Sequence, residues 1–409
     1  MLKAASGLAA SGILGTASAH PSPGGGSENH SEGLRLFSEQ AVNGTLEVVT
    51  QKNYVYVATG SGMAVVDGRN PRRPELAATL DANDPAGGIL DIKVDGDLAS
   101  LASNGGPGVT LVDISDPADP QEVAFHNAGH SVHNNFLADG YAYLTINESD
   151  GAPFSEARTD IVDVSDPMSP EKVGEFRLSN HFPDFAAAGV NPCHDIYVQD
   201  DLLYQVFWDA GVVIADVSDP ANPTLVSQFG DAPGADTPLP DSTRSERYLT
   251  LPGNAHYVQP SRDGQYVYVG AETFPGDFVE NPDNDDYGGI RVFDVSDYEM
   301  PEQVARIEPP EIDVFRTSHN FDVTNNRLHA SWYNGGVTVH DITDPSEPTE
   351  LGHYAAEGSS FWTAVRSRGF TVAGDIGGGV VFLHADRGRG EPPAFDGSER
   401  PNEPGMEGQ

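Results

Sequence analysis

Short runs of apolar residues separated by polar turns recur along most of the chain. Around residue 200, four such runs alternate with turns rich in Asp, Gly and Pro, at 194–198, 202–208, 212–217 and 224–229. The runs are rich in β-branched and aromatic side chains, and this pattern is typical of β-strands. The segment therefore predicts a unit of four strands joined by short turns.

The third run of this unit carries a block that returns through the chain. Near copies lie at 111–117 (LVDISDP), 161–167 (IVDVSDP), 214–220 (IADVSDP), 292–297 (VFDVSD) and 339–345 (VHDITDP), with degenerate copies at 65–71 and 380–384. Seven third strands predict seven four-stranded units, the organisation of a β-propeller. The segment 33–38 has the pattern of a fourth strand, and we expect it to complete the last unit and close the ring.

The repeated block resembles the LVIVD repeat family, whose members are taken to be β-propellers. The resemblance covers residues 33–386 and implies an all-β fold, a single seven-bladed propeller closed by an N-terminal strand. It says almost nothing about activity. The aspartates of the block have a sufficient structural role, because Pro ends the strand and Asp or Ser bonds the backbone of the following turn.

The charge of the chain excludes some classes of partner. Acidic residues number 62 and basic residues 22, so the formal net charge is −40. Binding to the phosphates of a nucleic acid, or to anionic lipid through a basic patch, requires the opposite sign. A carboxylate-rich surface stays soluble where salt screens its repulsion, so we expect a halophilic source.

The two ends of the chain differ from its middle. Residues 1–19 predict an export signal, with Lys3, a weakly apolar stretch and an Ala-x-Ala cleavage site at 17–19. The modest hydrophobicity resembles a twin-arginine signal with a truncated start, which predicts an extracellular or cell-surface protein; a disordered tail is the alternative. Residues 20–32 are predicted to form a flexible linker and 387–409 a disordered acidic tail. No run of 18 apolar residues predicts a transmembrane segment.

Histidine recurs at one position when the first strands of the units are aligned. Four consecutive units carry it, at spacings of 61, 62 and 63 residues: His133, His194, His256 and His319. At the matching position the other three units have Leu46, Leu90 and Phe361. The first strand of a propeller blade lines the central channel, so four imidazoles should face one side of the channel mouth and apolar residues the other.

Four converging imidazoles indicate a site for Fe, Cu, Ni or Zn, whereas Ca²⁺ and Mg²⁺ prefer oxygen ligands. The alternative is structural, with histidines that bond backbone carbonyls at blade junctions or line a wet channel. Histidine ligands need hydrogen-bonding partners behind them. The candidates are Glu272, which is favoured, with Glu148 and Asp209. Cys193 and His130 are weaker candidates for ligands, because a lone cysteine is usually a small buried apolar residue.

Two functions remain open. One is a metal-dependent oxidoreductase acting on an unknown small molecule. In architecture it is similar to carotenoid cleavage oxygenases, which hold Fe(II) with four histidines, and to selenium-binding protein/methanethiol oxidase, which holds copper. The other is a non-enzymatic extracellular scaffold that binds a protein partner, with structural histidines. No serine-hydrolase, zinc-protease, P-loop or dinucleotide motif occurs, so we expect no nucleotide cofactor, and the sequence predicts no catalytic residue.

Overall fold

Regular structure is almost entirely β. The computed structural model describes residues 29–83, 87–239, 251–274 and 287–385. The predicted export signal and tail, and most of the predicted linker, lie outside these ranges, so export stays a prediction. Within the same ranges, none of the helices has the length and apolar character needed to cross a membrane.

In the described residues the strands form seven antiparallel sheets, numbered here as blades 1–7. Two strands precede the first blade: β1 (His30–Glu32) and β2 (Leu34–Ala41). Blade 1 has β3 (Val48–Gln51), β4 (Tyr54–Ala58), β5 (Gly62–Asp67) and β6 (Glu75–Asp81). Blade 2 has β7 (Gly88–Asp95), β8 (Leu98–Asn104), β9 (Gly108–Asp113) and β10 (Gln121–Asn127). Blade 3 has β11 (Val132–Ala138), β12 (Tyr141–Asp150), β13 (Ala152–Asp163) and β14 (Glu171–Arg177).

Two short helices separate blades 3 and 4: α1 (Leu178–His181) and α2 (Pro183–Ala188). Blade 4 has β15 (Asp195–Gln199), β16 (Leu202–Val206), β17 (Val212–Asp216) and β18 (Thr224–Phe229). Blade 5 has β19 (Ala255–Pro260), β20 (Tyr266–Ala271), β21 (Ile290–Asp294) and β22 (Glu302–Ile307). Blade 6 has β23 (Phe321–Val323), β24 (Arg327–Ser331), β25 (Val337–Asp341) and β26 (Thr349–Ala355). Blade 7 has β27 (Phe361–Ser367), β28 (Phe370–Asp375) and β29 (Gly379–Ala385).

The seven blades form a closed ring. The first strand of each blade contacts the first strand of the next, from β3 through β7, β11, β15, β19 and β23 to β27, and β27 contacts β3 again. Hydrophobic cores lie between the faces of adjacent blades; for example, Tyr204 and Val206 of blade 4 pack with Val267 and Val269 of blade 5. The predicted seven-bladed propeller of four-stranded blades is confirmed.

The N-terminal strands complete the ring. Strand β2 pairs with β29 as the outer strand of blade 7, from Leu34 opposite Ala385 to Ala41 opposite Gly379. This confirms the predicted closure. Strand β1 pairs with β26 and adds a fifth strand to blade 6, so residues 30–32 belong to the propeller and not to the flexible linker predicted over 20–32. The chain therefore ties blades 6 and 7 together before it enters blade 1.

The aspartates of the repeated block hold the turn after the third strand in the blades that carry them. In blade 3, Asp163 Oδ1 accepts hydrogen bonds from the Ser165 backbone N–H (2.9 Å) and hydroxyl (2.7 Å). The same bonds recur in other blades, at Asp216, Asp294 and Asp341. These bonds give the aspartates the structural role expected from the sequence.

Replacing Asp163 by asparagine should destabilise the fold more at neutral pH than in acid. Hydrogen bonds from the Ser165 hydroxyl and N–H lower the pKa of Asp163 below its usual value of about 4. Its contribution is therefore present above the unfolded-state pKa and is lost as the pH falls through the lower folded-state pKa. The unfolding temperatures of wild type and Asp163→Asn, measured from pH 7 downwards, should converge in acid. The exposed Glu299→Gln is the control; a difference for Asp163→Asn that does not depend on pH would contradict the assignment.

Candidate metal centre

The four predicted histidines lie side by side at one end of the channel. Each stands within two residues of the start of a first strand, in blades 3 to 6. The ring centroids are 4.5 Å apart for His133 and His194, 4.0 Å for His194 and His256, and 4.6 Å for His256 and His319. The structure thus brings all four together in one arc. Their role as metal ligands stays a prediction.

Glu272 lies among these imidazoles and not behind them. It follows the last residue of β20, is 4% exposed, and places Oε2 3.2 Å from His256 Nε2 and Oε1 3.9 Å from His319 Nε2. One ligand atom each from His194, His256 and Glu272 lie within 4.8 Å of one another. The residue predicted as a supporting acceptor is therefore placed as a possible direct ligand.

Backbone carbonyls fix the orientation of two rings. His194 Nδ1 lies 3.1 Å from the carbonyl oxygen of His256, and His319 Nδ1 lies 2.7 Å from that of Trp362. A carbonyl only accepts, so Nδ1 carries the proton in both rings, and in the neutral imidazole Nε2 keeps its lone pair. Metal-binding histidines usually donate their second ring N–H in this way.

The surroundings of His194 favour its neutral form. The pKa of His194 lies well below its usual value, first because burial disfavours the charged ring and then because the nearby rings of His256, His133 and His319 would repel a second charge. Neutral imidazole is the form that binds a metal. A neutral His194 keeps a ring-nitrogen lone pair available to a metal.

Tyr333 holds the carboxylate from the next blade. Its hydroxyl donates a hydrogen bond to Glu272 Oε1, and the side chain is fully buried. Burial and the neighbouring Glu272 carboxylate raise the pKa of Tyr333 well above its usual value, so it remains a donor. Trp208 has the matching position in blade 4, two residues beyond the second strand, with its ring 6.0 Å from His194. A repeated turn thus places an aromatic side chain beside the arc in both blades.

An apolar wall closes the opposite side, as expected, but with one different residue. Leu46, Leu90 and Trp362 belong to one buried cluster that also contains Tyr333. The predicted position of Phe361 on this wall is wrong: Phe361 packs between blades 6 and 7, and Trp362 lies 4.3 Å from the His319 ring. The register of β27 shifts between residues 361 and 363, as that of β7 shifts between 89 and 91 and that of β19 between 255 and 257, so Trp362 is the residue equivalent to Leu90 and His256.

Asp209 acts on the site from a distance. It is fully buried and accepts a hydrogen bond from the Asn254 backbone N–H at 3.4 Å. A Cβ atom at Gly253 would come within 1.8 Å of Asp209 Oδ1, so only glycine permits this close approach. The Asn254 side chain in turn donates to the backbone carbonyl of Glu272. Asp209 therefore supports the segment that carries Glu272.

The side chains of the remaining candidates are not part of the ligand group. Glu148 is half-exposed at the rim, where it pairs with Arg158 (2.8 Å) and His130 (3.4 Å). Cys193 is buried with its sulfur 3.5 Å from the Thr159 hydroxyl, and burial raises the pKa of its thiol to about 12. A neutral thiol is a poor ligand, and the three-residue ligand group does not include it.

A second tier of polar side chains, which the sequence analysis missed, lies next to the arc. Its members follow the histidine position by one residue in each blade and are all at most 8% exposed: Glu47, Asp91, Asn134, Asp195, Tyr257, Asn320 and Thr363. Polar residues occupy this one repeat position in all seven units. That pattern could have predicted a polar layer next to the histidines. The residue types at this position vary from unit to unit, whereas histidine recurs unchanged at the preceding position in four units.

Lys93 is the cation of this tier. Its ammonium group contacts Asp91 Oδ1 and lies 3.4 Å from Glu47 Oε1. Glu47 Oε2 accepts from the Asn320 amide at 2.9 Å and from the Thr363 hydroxyl. The network therefore joins blades 1, 2, 6 and 7 through buried charges.

The tier also touches the arc. The Asn134 amide donates to Asp195 Oδ2 (2.8 Å) and to the backbone carbonyl of His194 (2.9 Å). Burial raises the pKa of Asp195 and Glu47, while the nearby carboxylates raise the pKa of Lys93 and keep it charged. Three carboxylates around one lysine favour uptake of a proton by one of them.

The repeat is recognisable across the chain. A model of the LVIVD repeat matches residues 45–82, 86–127, 155–177, 193–231 and 330–356. The chain belongs to the LVIVD repeat family. Of the residues in the arc, His194 lies inside a matched segment, whereas His133, His256, Glu272 and His319 lie outside all five. Membership therefore describes the scaffold of this LVIVD-repeat protein and not its site.

Solved propellers share the fold at low identity. The LVIVD-repeat protein is similar to hydrazine synthase of Kuenenia stuttgartiensis, with 11% identity, a TM-score of 0.60, and coverage of 85% of this chain and 98% of that one. The β-propeller domain of Cps50 (Swd1) from Myceliophteria thermophila is 10% identical, with a TM-score of 0.58 and coverage of 86% of this chain and 99% of that one. The WD40 β-propeller domain of Doa1 is 10% identical, with a TM-score of 0.54 and coverage of 88% of this chain and 98% of that one. These identities show the fold alone, and no curated protein matches the sequence.

Proposed function

We propose that this LVIVD-repeat protein binds a transition metal through His194, His256 and Glu272 and uses it for oxidation–reduction of a small molecule. The observation that carries the proposal is the approach of three ligand atoms to within 4.8 Å of one another. Two imidazoles and one carboxylate are a known ligand set for non-haem Fe(II) and for catalytic Zn²⁺. Imidazoles also bind copper and nickel, so binding of Fe, Cu, Ni and Zn should each be measured.

The ligand count supports a catalytic role for the metal. Structural zinc sites are closed by four protein ligands, whereas catalytic sites keep a position open for water or substrate. Three protein ligands leave such positions. His133 and His319 flank the group and can contact a molecule bound there, since their rings lie 4.5 Å from His194 and 4.6 Å from His256.

Burial restricts the substrate to a small molecule. His194, His256 and Glu272 are 8%, 2% and 4% exposed, so a polymer cannot reach the ligands in this conformation. The wall formed by Leu46, Leu90 and Trp362 limits access of water. A small apolar or diatomic molecule fits this environment, in which charge developing at the metal is poorly screened.

Elemental analysis tests the proposal directly. Protein purified without a nickel column or chelator should contain nearly one equivalent of a redox metal, or should bind Fe(II), Cu(II) or Ni(II) stoichiometrically in calorimetry. Binding of Zn(II) alone would support the metal site and contradict the redox role, because Zn(II) has no redox chemistry. A protein that arrives metal-free and binds none of the four contradicts the proposal. The extracellular scaffold with structural histidines would then be the better account.

A further inference from the structure

Tyr333 has a contact that metal binding by itself does not require. The turn after the second strand places Trp208 in blade 4 and Tyr333 in blade 6 at matching positions, both with positive φ, 34° and 49°. The strained backbone therefore belongs to the repeated turn. Tyr333 differs from Trp208 in having a phenol hydroxyl, which donates a hydrogen bond to Glu272 Oε1.

The surroundings of Tyr333 are buried and rich in aromatic rings. Its side chain is fully buried, and its ring lies 4.9 Å from the ring of His319, 5.2 Å from Phe315 and 6.3 Å from Trp362. The Glu272 carboxylate is the proton acceptor in contact with the phenol. A phenol in such a place can lose an electron and its proton together, because the proton has only the length of one hydrogen bond to travel.

We propose that Tyr333 is a redox-active residue that gives one electron to the metal centre and its phenolic proton to Glu272 Oε1. The inference rests on the proposed metal site and requires a redox metal such as iron. The oxidant is of the peroxide class. In the net reaction Fe(II) becomes Fe(III) and gives one electron, and Tyr333 gives the second electron to the metal centre and its proton to Glu272. Solvent supplies two protons, hydrogen peroxide becomes two water molecules, and Tyr333 is left as a neutral phenoxyl radical.

The radical is the readout. Full-length protein loaded with Fe(II) is mixed with hydrogen peroxide, frozen, and examined by electron paramagnetic resonance. Wild type should give an organic radical whose hyperfine pattern changes when ring-deuterated tyrosine is incorporated. Tyr333→Phe should lose this signal when it is compared at an iron concentration that saturates its site, because loss of the hydrogen bond to Glu272 should weaken iron binding by about 10–100-fold. Tyr268→Phe should keep it, since Tyr268 is also fully buried and its hydroxyl has no hydrogen-bond partner in the described part of the chain.

A second measurement does not depend on the variant's folding. Wild type treated with peroxide and a spin trap should carry the adduct on the peptide that contains Tyr333. Iron bound without a tyrosine radical, or a radical of equal yield in iron-loaded Tyr333→Phe, would overturn the redox role and leave the metal site intact. If wild type binds no metal, both proposals fail.

Discussion

Glutamine in place of Glu272 is expected to lower the affinity for Fe(II) and Zn(II) by at least about 100-fold, the upper end of the cost of losing a single supporting partner of a metal ligand. Glutamine keeps the size of the side chain and an oxygen for the Tyr333 hydroxyl, so the packing survives. It removes the negative charge beside His256 that attracts the cation. His256→Ala, which removes an imidazole, should have a similar effect. Competition with a chromophoric chelator measures both.

Matched controls exist at the rim of the propeller. Glu148 and His130 are a carboxylate and an imidazole 3.4 Å apart, outside the ligand group. Glu148→Gln and His130→Ala should therefore leave the metal affinity unchanged. If these variants weaken binding as much as Glu272→Gln does, the measured sites are scattered over the acidic surface, and the proposed centre is wrong.

The two outer histidines separate a three-ligand site from the four-histidine site predicted by the sequence. His133 and His319 lie outside the group formed by His194, His256 and Glu272. Their replacement by alanine should therefore cost less, about 10–100-fold, as expected for residues that support the ligands. An equal loss for all four histidines, with little effect of Glu272→Gln, would restore the four-histidine ligand set.

The sequence was sufficient for the ring because its signal is local. The block at 111–117 and its copies each lie at the end of a third strand. In this block Asp113 Oδ1 accepts a hydrogen bond from the Ser115 backbone N–H, two residues further on in the turn. Such contacts depend on neighbours along the chain, so repetition of the pattern predicts repetition of the structure. Closure by β2 was also readable, since a lone fourth-strand pattern stood before the first unit.

The site was predictable only in part because its contacts join distant residues. Repeat alignment put the histidines in register, but the position of Glu272 depends on Tyr333, which is 61 residues away, and on the Asn254 side chain. The sequence pattern of one unit does not predict which side chains of another unit its own side chains will contact. The charged tier is different, because its residues follow the histidine position by one residue in every unit and are therefore in register in the sequence.

Methionine in place of Lys93 is expected to lower the free energy of unfolding by about 3–5 kcal/mol, the usual cost of removing one partner of a buried ion pair. The Lys93 side chain is 10% exposed and those of Glu47 and Asp91 are 4% and 3%. Without the ammonium group these carboxylates must take up protons or remain charged in a poorly hydrated channel. Urea unfolding of metal-free protein at constant salt measures the change without a contribution from metal binding.

Lys172→Met is the control, because Lys172 pairs with Asp160 (2.8 Å) and Glu175 (2.6 Å) while its own side chain is 37% exposed. Such a partly exposed pair should contribute only about 0–1 kcal/mol. Adding Glu47→Gln to Lys93→Met should recover part of the loss, since the amide keeps an oxygen for Asn320 and needs no counter-ion. Equal losses for Lys93→Met and Lys172→Met would contradict the assignment of the channel charges as a buried network. A loss confined to Lys93→Met would support a buried charge network that joins blades 1, 2, 6 and 7 across the channel, because only in that network does the lysine compensate carboxylates that water cannot reach.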